Sequence, residues 1–187
     1  DLQLLLGTHR GDSHAAALLW ERFGPRLLAT ARALVGDHDR AEDAVQQALV
    51  GVLGSTRNDL AAVDDVAAYL AACVRNAAVN EIRARDRRRA RDAAAGLLRP
   101  HTAPDAEPTL RAAAAGMETI DHAVRALPAE QREVVALRHA AGLTFDQVGW
   151  CLGISRNTAA SRYRLAVASI RRALGAPPNA TEVAHAR

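Results

Sequence analysis

The chain has 187 residues, of which 49% are hydrophobic but only 3% aromatic, and a formal net charge of +3. Alanine, leucine and valine dominate, strand-favouring aromatic residues are thin, and the expectation is an all-α fold. All 24 basic residues are arginine and they cluster, which matters more for binding a polyanion than the small net charge. No apolar run is long enough to span a bilayer, and "LQLLL" is too short for a signal-peptide core, so no membrane insertion is expected. Cys73 and Cys151 lie outside any CxxC, and the seven histidines show no ligand spacing. A disulfide framework, a metal site and a cofactor are therefore not expected, and two buried thiols suit a reducing, cytoplasmic setting.

Ser13 is placed to cap a helix through "AAALLWERF", and Pro25 to open a second, "RLLATARALV", that Gly36 ends. The next helix starts on the acids Asp37 and Asp39. Its Ala41, Ala44, Val45, Ala48, Leu49 and Val52 repeat at three and four and form a buried stripe, leaving Glu42, Asp43, Gln46 and Gln47 outside. Residues 54–65 read as a loop. A long helix follows from Val66, with Val66, Tyr69, Leu70, Cys73, Val74 and Ala77 as its apolar face. It runs into "RARDRRRAR" (83–91), six arginines against one aspartate. Residues 92–117, with Pro100, Pro104 and Pro108, read as a flexible linker. "TIDHAVRAL" then forms a helix to Leu127, Pro128 opens another, and Gly142 closes it.

The stretch 142–174 carries the most specific signal. Thr144 and Gln147 form a T-x-x-Q capping box, Gly153 permits a left-handed turn, Ile154 plugs it, and Ser155 caps the next helix. Two helices joined this way form a helix-turn-helix. In the first, Phe145, Val148, Gly149 and Leu152 face inward; in the second, Ala159, Tyr163, Ala166, Val167, Ile170 and Leu174 do. Arg156, Asn157, Ala160, Ser161 and Arg164 are left outside near the N-terminal half of the second helix, where recognition helices touch bases and phosphates. Residues 175–187 read as a frayed tail.

Taken in order, these motifs resemble the bacterial RNA polymerase sigma factors of the extracytoplasmic-function (ECF) type. "LPAEQREVVALRHAAGLTFDQVGWCLGISRNTAASRYR" is similar to the family's promoter −35-binding domain. "GDHDRAEDAVQQALVGVL" resembles its helix for the polymerase β′ clamp, and "AAYLAACVRNAAVNEIRARDRRR" its −10-reading helix. The resemblance implies two small helical domains joined by a flexible linker: a region-2-like domain over 1–91 and a region-4-like helix-turn-helix over 118–174. It implies core polymerase binding through Asp43, Gln46 and Gln47, −10 contacts from Arg75, Asn76, Asn80 and Arg83, and −35 contacts from Arg156, Asn157, Ser161 and Arg164. Core RNA polymerase (its β and β′ subunits), promoter DNA and an anti-sigma factor are the implied partners. Asn76 and Asn80 stand one turn apart, with amides able to pair with base edges.

The sequence departs from the family at Ala159, where valine is usual, at Ala160, where lysine is usual, and at Leu165, where arginine is usual. Its clamp helix and the loop after it also lack the family's Phe and Trp. Fewer cationic contacts are expected on this recognition helix and fewer aromatic platforms for unpaired bases. No nucleophile–base pair, paired carboxylates or phosphate-cradling glycine loop appears, so no enzymatic activity is expected. Two alternatives stand beside the sigma reading: a stand-alone helix-turn-helix regulator, and a sigma-like decoy that binds an anti-sigma factor.

Overall fold

The structure is a computed structural model describing residues 1–95 and 113–175, and within these the chain folds into helices without a strand. Most of the expected linker and nearly all of the expected tail lie outside the described residues. The N-terminal half comprises α1 (Leu2–His9), α2 (Ser13–Val35), α3 (His38–Leu53), α4 (Arg57–Ala61) and α5 (Val66–Ala94). The C-terminal half comprises α6 (Ala113–Arg125), α7 (Ala129–Val135), α8 (Phe145–Leu152) and α9 (Arg156–Ala173). α7 continues into a π-helical turn over Ala136–Ala140, closed by Ala141 N–H donating to the Ala136 carbonyl at 3.1 Å.

In the N-terminal half α2, α3 and α5 pack on one another and α1 leans on α2. Leu19, Phe23, Leu27, Ala31 and Leu34 of α2 meet the Ala41–Val52 stripe of α3 and Val66, Leu70 and Val74 of α5. Each large aliphatic side chain withdrawn from water here contributes about 1.5–3 kcal/mol. Buried Thr30 is satisfied by donating to the Arg26 carbonyl at 2.7 Å.

Four expectations are corrected. Pro25 does not divide α2, which is one 23-residue helix capped by Asp12 rather than Ser13; the Asp12 carboxylate accepts from the His14 and Ala15 N–H groups. A proline inside a helix forfeits one backbone bond. Here that loss falls on Glu21, an exposed residue, while the buried stripe Phe23–Leu27–Ala31 runs on past it. The expected loop over 54–65 holds α4, because the Thr56 hydroxyl accepts from Asp59 N–H and Leu60 is wholly buried. Leu174 is 39% exposed rather than packed inward, being the residue that ends α9. Cys73 and Cys151 are free thiols but only half-buried.

The C-terminal half has its own core of Val134, Leu137, Ala141, Leu143, Val148 and Ala159. That core is shared: Ala68 and Ala71 of α5, each at most 2% exposed, are buried by these residues rather than by their own half. The halves therefore meet along the start of α5, on a second apolar stripe adjacent to the one expected, and along α2, which packs on the π-helical turn and whose core takes in Ala136.

Candidate nucleic-acid and polymerase interface

The helix-turn-helix forms from the local signals the sequence displays. Thr144 N–H donates to Gln147 Oε1 at 2.6 Å and Gln147 N–H to Thr144 Oγ1 at 3.3 Å, completing the capping box. Gly153 turns at φ 65°, Ile154 N–H returns to the Gly149 carbonyl at 2.9 Å, and the Ser155 hydroxyl accepts from Thr158 N–H at 3.0 Å. Ala159 and Ala166 are fully buried, which fixes the rotation of α9 and turns Arg156, Asn157, Ser161 and Arg164 outward together. Arg156 makes only a loose, exposed pair with Asp146 at 3.6 Å, an interaction of little energetic weight that leaves its guanidinium free to exchange partners.

On α3 the buried stripe leaves Asp43, Gln46 and Gln47 exposed side by side. Val50 and Leu53, 68% and 47% exposed, extend the same face one and two turns further. The sequence reading omitted them; the available signal was two large apolar residues falling off the buried stripe.

The four residues expected to read the −10 strand are not presented alike. Asn76, Asn80 and Arg83 are exposed along α5. Arg75 is turned into the contact between the halves, where its Nε and Nη2 donate to Glu133 Oε2 at 3.0 and 2.5 Å. Its Nη1 also donates to Asn76 Oδ1 at 3.0 Å, engaging the first of the two amides. Beyond Arg83 the arginine run continues to Arg91 on the exposed end of α5, with Arg88 reaching back to Glu81 at 3.2 Å.

Asp65 works on both sides of this contact. Its carboxylate caps α5 by accepting from Ala68 N–H at 3.0 Å, and it accepts from the Gln147 amide of α8. Burial pulls its pKa upward, but the hydrogen bonds from Ala68, Gln147 and Ala67 together hold it below its usual 3.8. A depressed carboxylate contributes stability that is fully present above the unfolded-state value and lost as pH falls through the folded one. The thermal stabilities of wild type and Asp65→Asn should therefore differ at neutral pH and converge as pH falls below 3.8, as followed by circular dichroism melts.

A helix-turn-helix on one half and a polar-faced, arginine-ended helix on the other make an all-helical protein with two exposed faces of the chemistry that suits nucleic acid. The sigma-70 region 2 family matches residues 19–88 and the sigma-70 region 4 family residues 123–172. The chain belongs to the sigma-70 family, and sigma factors are transcription regulators without catalytic activity. Among solved structures it is similar to the sigma factor RpoE in complex with the anti-sigma factor NepR from Bartonella quintana. That match has 24% identity and a TM-score of 0.63, over 87% of this chain and 98% of that one. It is also similar to CnrH in complex with the cytosolic domain of CnrY, at 20% identity and TM-score 0.66, over 94% of this chain and 97% of that one. No curated protein sequence matches it. Among the described residues no helix is long and apolar enough to cross a membrane.

Proposed function

We propose that this sigma factor binds core RNA polymerase and selects promoters through two separate DNA contacts. Region 4 holds duplex −35 DNA with Arg156, Asn157, Ser161 and Arg164. Region 2 takes the unpaired −10 strand along Arg75, Asn76, Asn80 and Arg83, and Asp43, Gln46 and Gln47 of α3 dock on the polymerase clamp. The observation that carries this reading is the rotation of α9, where burial of Ala159 and Ala166 leaves four DNA-competent side chains on one exposed face. Binding the unpaired strand more tightly than the duplex shifts the melting equilibrium by that difference in affinity, so no chemistry is asked of the sigma factor itself. Both similar solved structures are complexes with a second protein, in one case the anti-sigma factor NepR, which supports an anti-sigma factor as a second partner here.

Two variants separate the DNA and polymerase roles. Arg156→Ala with Arg164→Ala should reduce −35-dependent transcription about tenfold or more while polymerase pull-down is unchanged, since two phosphate or base contacts are lost. Asp43→Ala with Gln46→Ala should impair pull-down, with a stability cost within roughly 0.5 kcal/mol per exposed site. Normal transcription by the first variant, or normal polymerase affinity of the second, contradicts the corresponding assignment.

A further inference from the structure

We propose that Leu165 is a sequence-reading residue of the recognition helix, its side chain meeting the C5-methyl group of a thymine in the −35 element. The inference rests on the assignment of α9 to −35 DNA.

An exposed leucine is ordinary on a protein surface; the position of this one is not. Leu165 is 57% exposed and belongs to none of the apolar clusters of the described residues, so the fold makes no use of its side chain. It stands four residues beyond Ser161 and eight beyond Asn157, which puts three exposed residues on one ridge of α9, each about 6 Å from the next. Arg156, Ala160 and Arg164 form the neighbouring ridge. Ala160 has no atom beyond Cβ, so nothing there holds the helix off the base edges. Arg162, the nearest cation on the other flank of Leu165, is drawn away by Glu130 at 2.6 Å. Leu165 is thus the one large apolar side chain on a face built of polar and small residues.

The chemistry of the groove then names its partner. A recognition helix touches base edges over about two turns, and Asn157 to Leu165 covers about 12 Å of helix, or roughly three to four base-pair steps. In the major groove the base pairs present donors and acceptors, and the thymine C5-methyl is the one apolar substituent among them. Set against a polar base edge, a leucine would displace water and return no hydrogen bond, which weakens binding. Set against a thymine methyl, both apolar groups leave water together, which strengthens it.

One substitution in the DNA and two in the protein test the contact. A promoter is selected from a random library by core polymerase with the wild-type chain. It is then remade with each −35 thymine, on either strand, replaced singly by deoxyuridine, which removes the methyl and keeps every hydrogen-bonding group. Affinity is measured by competition, with the full chain bound to core polymerase. At one thymine the replacement should weaken wild-type binding about fourfold, the worth of one buried methyl group. Leu165→Ala, with an unchanged melting curve, should bind the thymine promoter about fourfold or more weakly and lose the response to deoxyuridine at that position. Leu165→Arg, taken through the same library, should exchange that A·T pair for a G·C pair, because arginine bonds guanine O6 and N7, and keep the rest of the element.

A selected −35 element without thymine, no deoxyuridine effect at any −35 thymine, or an effect that persists in Leu165→Ala overturns the methyl contact. So does a Leu165→Arg selection that retains the A·T pair. Arg156→Ala with Arg164→Ala, measured on the same promoter, reports on the underlying assignment. If that variant binds as tightly as wild type, or if the wild-type chain selects no −35 element, the placement of α9 fails and the proposal with it. If that variant binds weakly while deoxyuridine has no effect, only the role of Leu165 fails.

Discussion

Replacing Gly149 by alanine should destabilise region 4 by about 1–3 kcal/mol, although glycine to alanine inside a helix ordinarily stabilises by about 1 kcal/mol. A Cβ built at Gly149 falls 2.7 Å from the Ile154 carbonyl oxygen, 3.3 Å from the Arg156 nitrogen and 3.4 Å from the Ser155 carbonyl carbon. All three are backbone atoms of the turn that launches the recognition helix, so no side chain can swing aside. Relief requires α8 and α9 to separate, which breaks the 2.9 Å return bond from Ile154 N–H to the Gly149 carbonyl and tilts Arg156 and Asn157 away from their common face. The check is a urea melt alongside −35-dependent transcription, and both should fall. An unchanged or raised midpoint contradicts the packing of the turn.

The second large effect is expected at Leu137, which is wholly buried on the π-helical turn, its carbonyl accepting from Leu143 N–H at 3.1 Å. Its side chain sits in the core that region 4 shares with Ala68 and Ala71 of α5. Leu137→Ala should cost about 2–5 kcal/mol, the transfer term plus the cavity left behind. That is a large share of the 5–15 kcal/mol typical of a domain. Leu165→Ala is the control: Leu165 is 57% exposed on α9, so its truncation should stay within about 0.5 kcal/mol. Chemical denaturation of the two variants checks the contrast. Equal losses would mean that the burial pattern of α7 and α9 is wrong.

The contrast between those sites reflects what sequence alone can disclose. The helix-turn-helix was legible because its punctuation is local: Thr144 pairs with Gln147 and Ser155 with Thr158, each three residues on, and Gly153 turns between the two helices at φ 65°. Exposure of Asp43, Gln46 and Gln47 followed from the three-and-four spacing of their buried neighbours. Pro25 was misleading because propensity weighs one lost hydrogen bond, while the chain weighs a continuous buried face on α2. The short helix α4 went unread although Thr56 and Asp59 carry a capping pattern, since five residues show too little periodicity. The meeting of the two halves was not legible at all. In a chain so rich in alanine, Ala68 and Ala71 give no hydrophobic contrast, and Arg75 and Glu133 are 58 residues apart with nothing local to pair them.

Run-off transcription over a library of promoter sequences, with core polymerase and the purified chain, tests the central claim most directly. The account predicts that core polymerase alone starts weakly and without preference. Adding the chain should direct initiation to a subset of promoters sharing two elements at fixed spacing, and Arg156→Ala with Arg164→Ala should erase the preference at the upstream element. Selected transcripts that are the same with and without the chain would contradict it, and tight, specific duplex binding by the free chain would point instead to a stand-alone regulator.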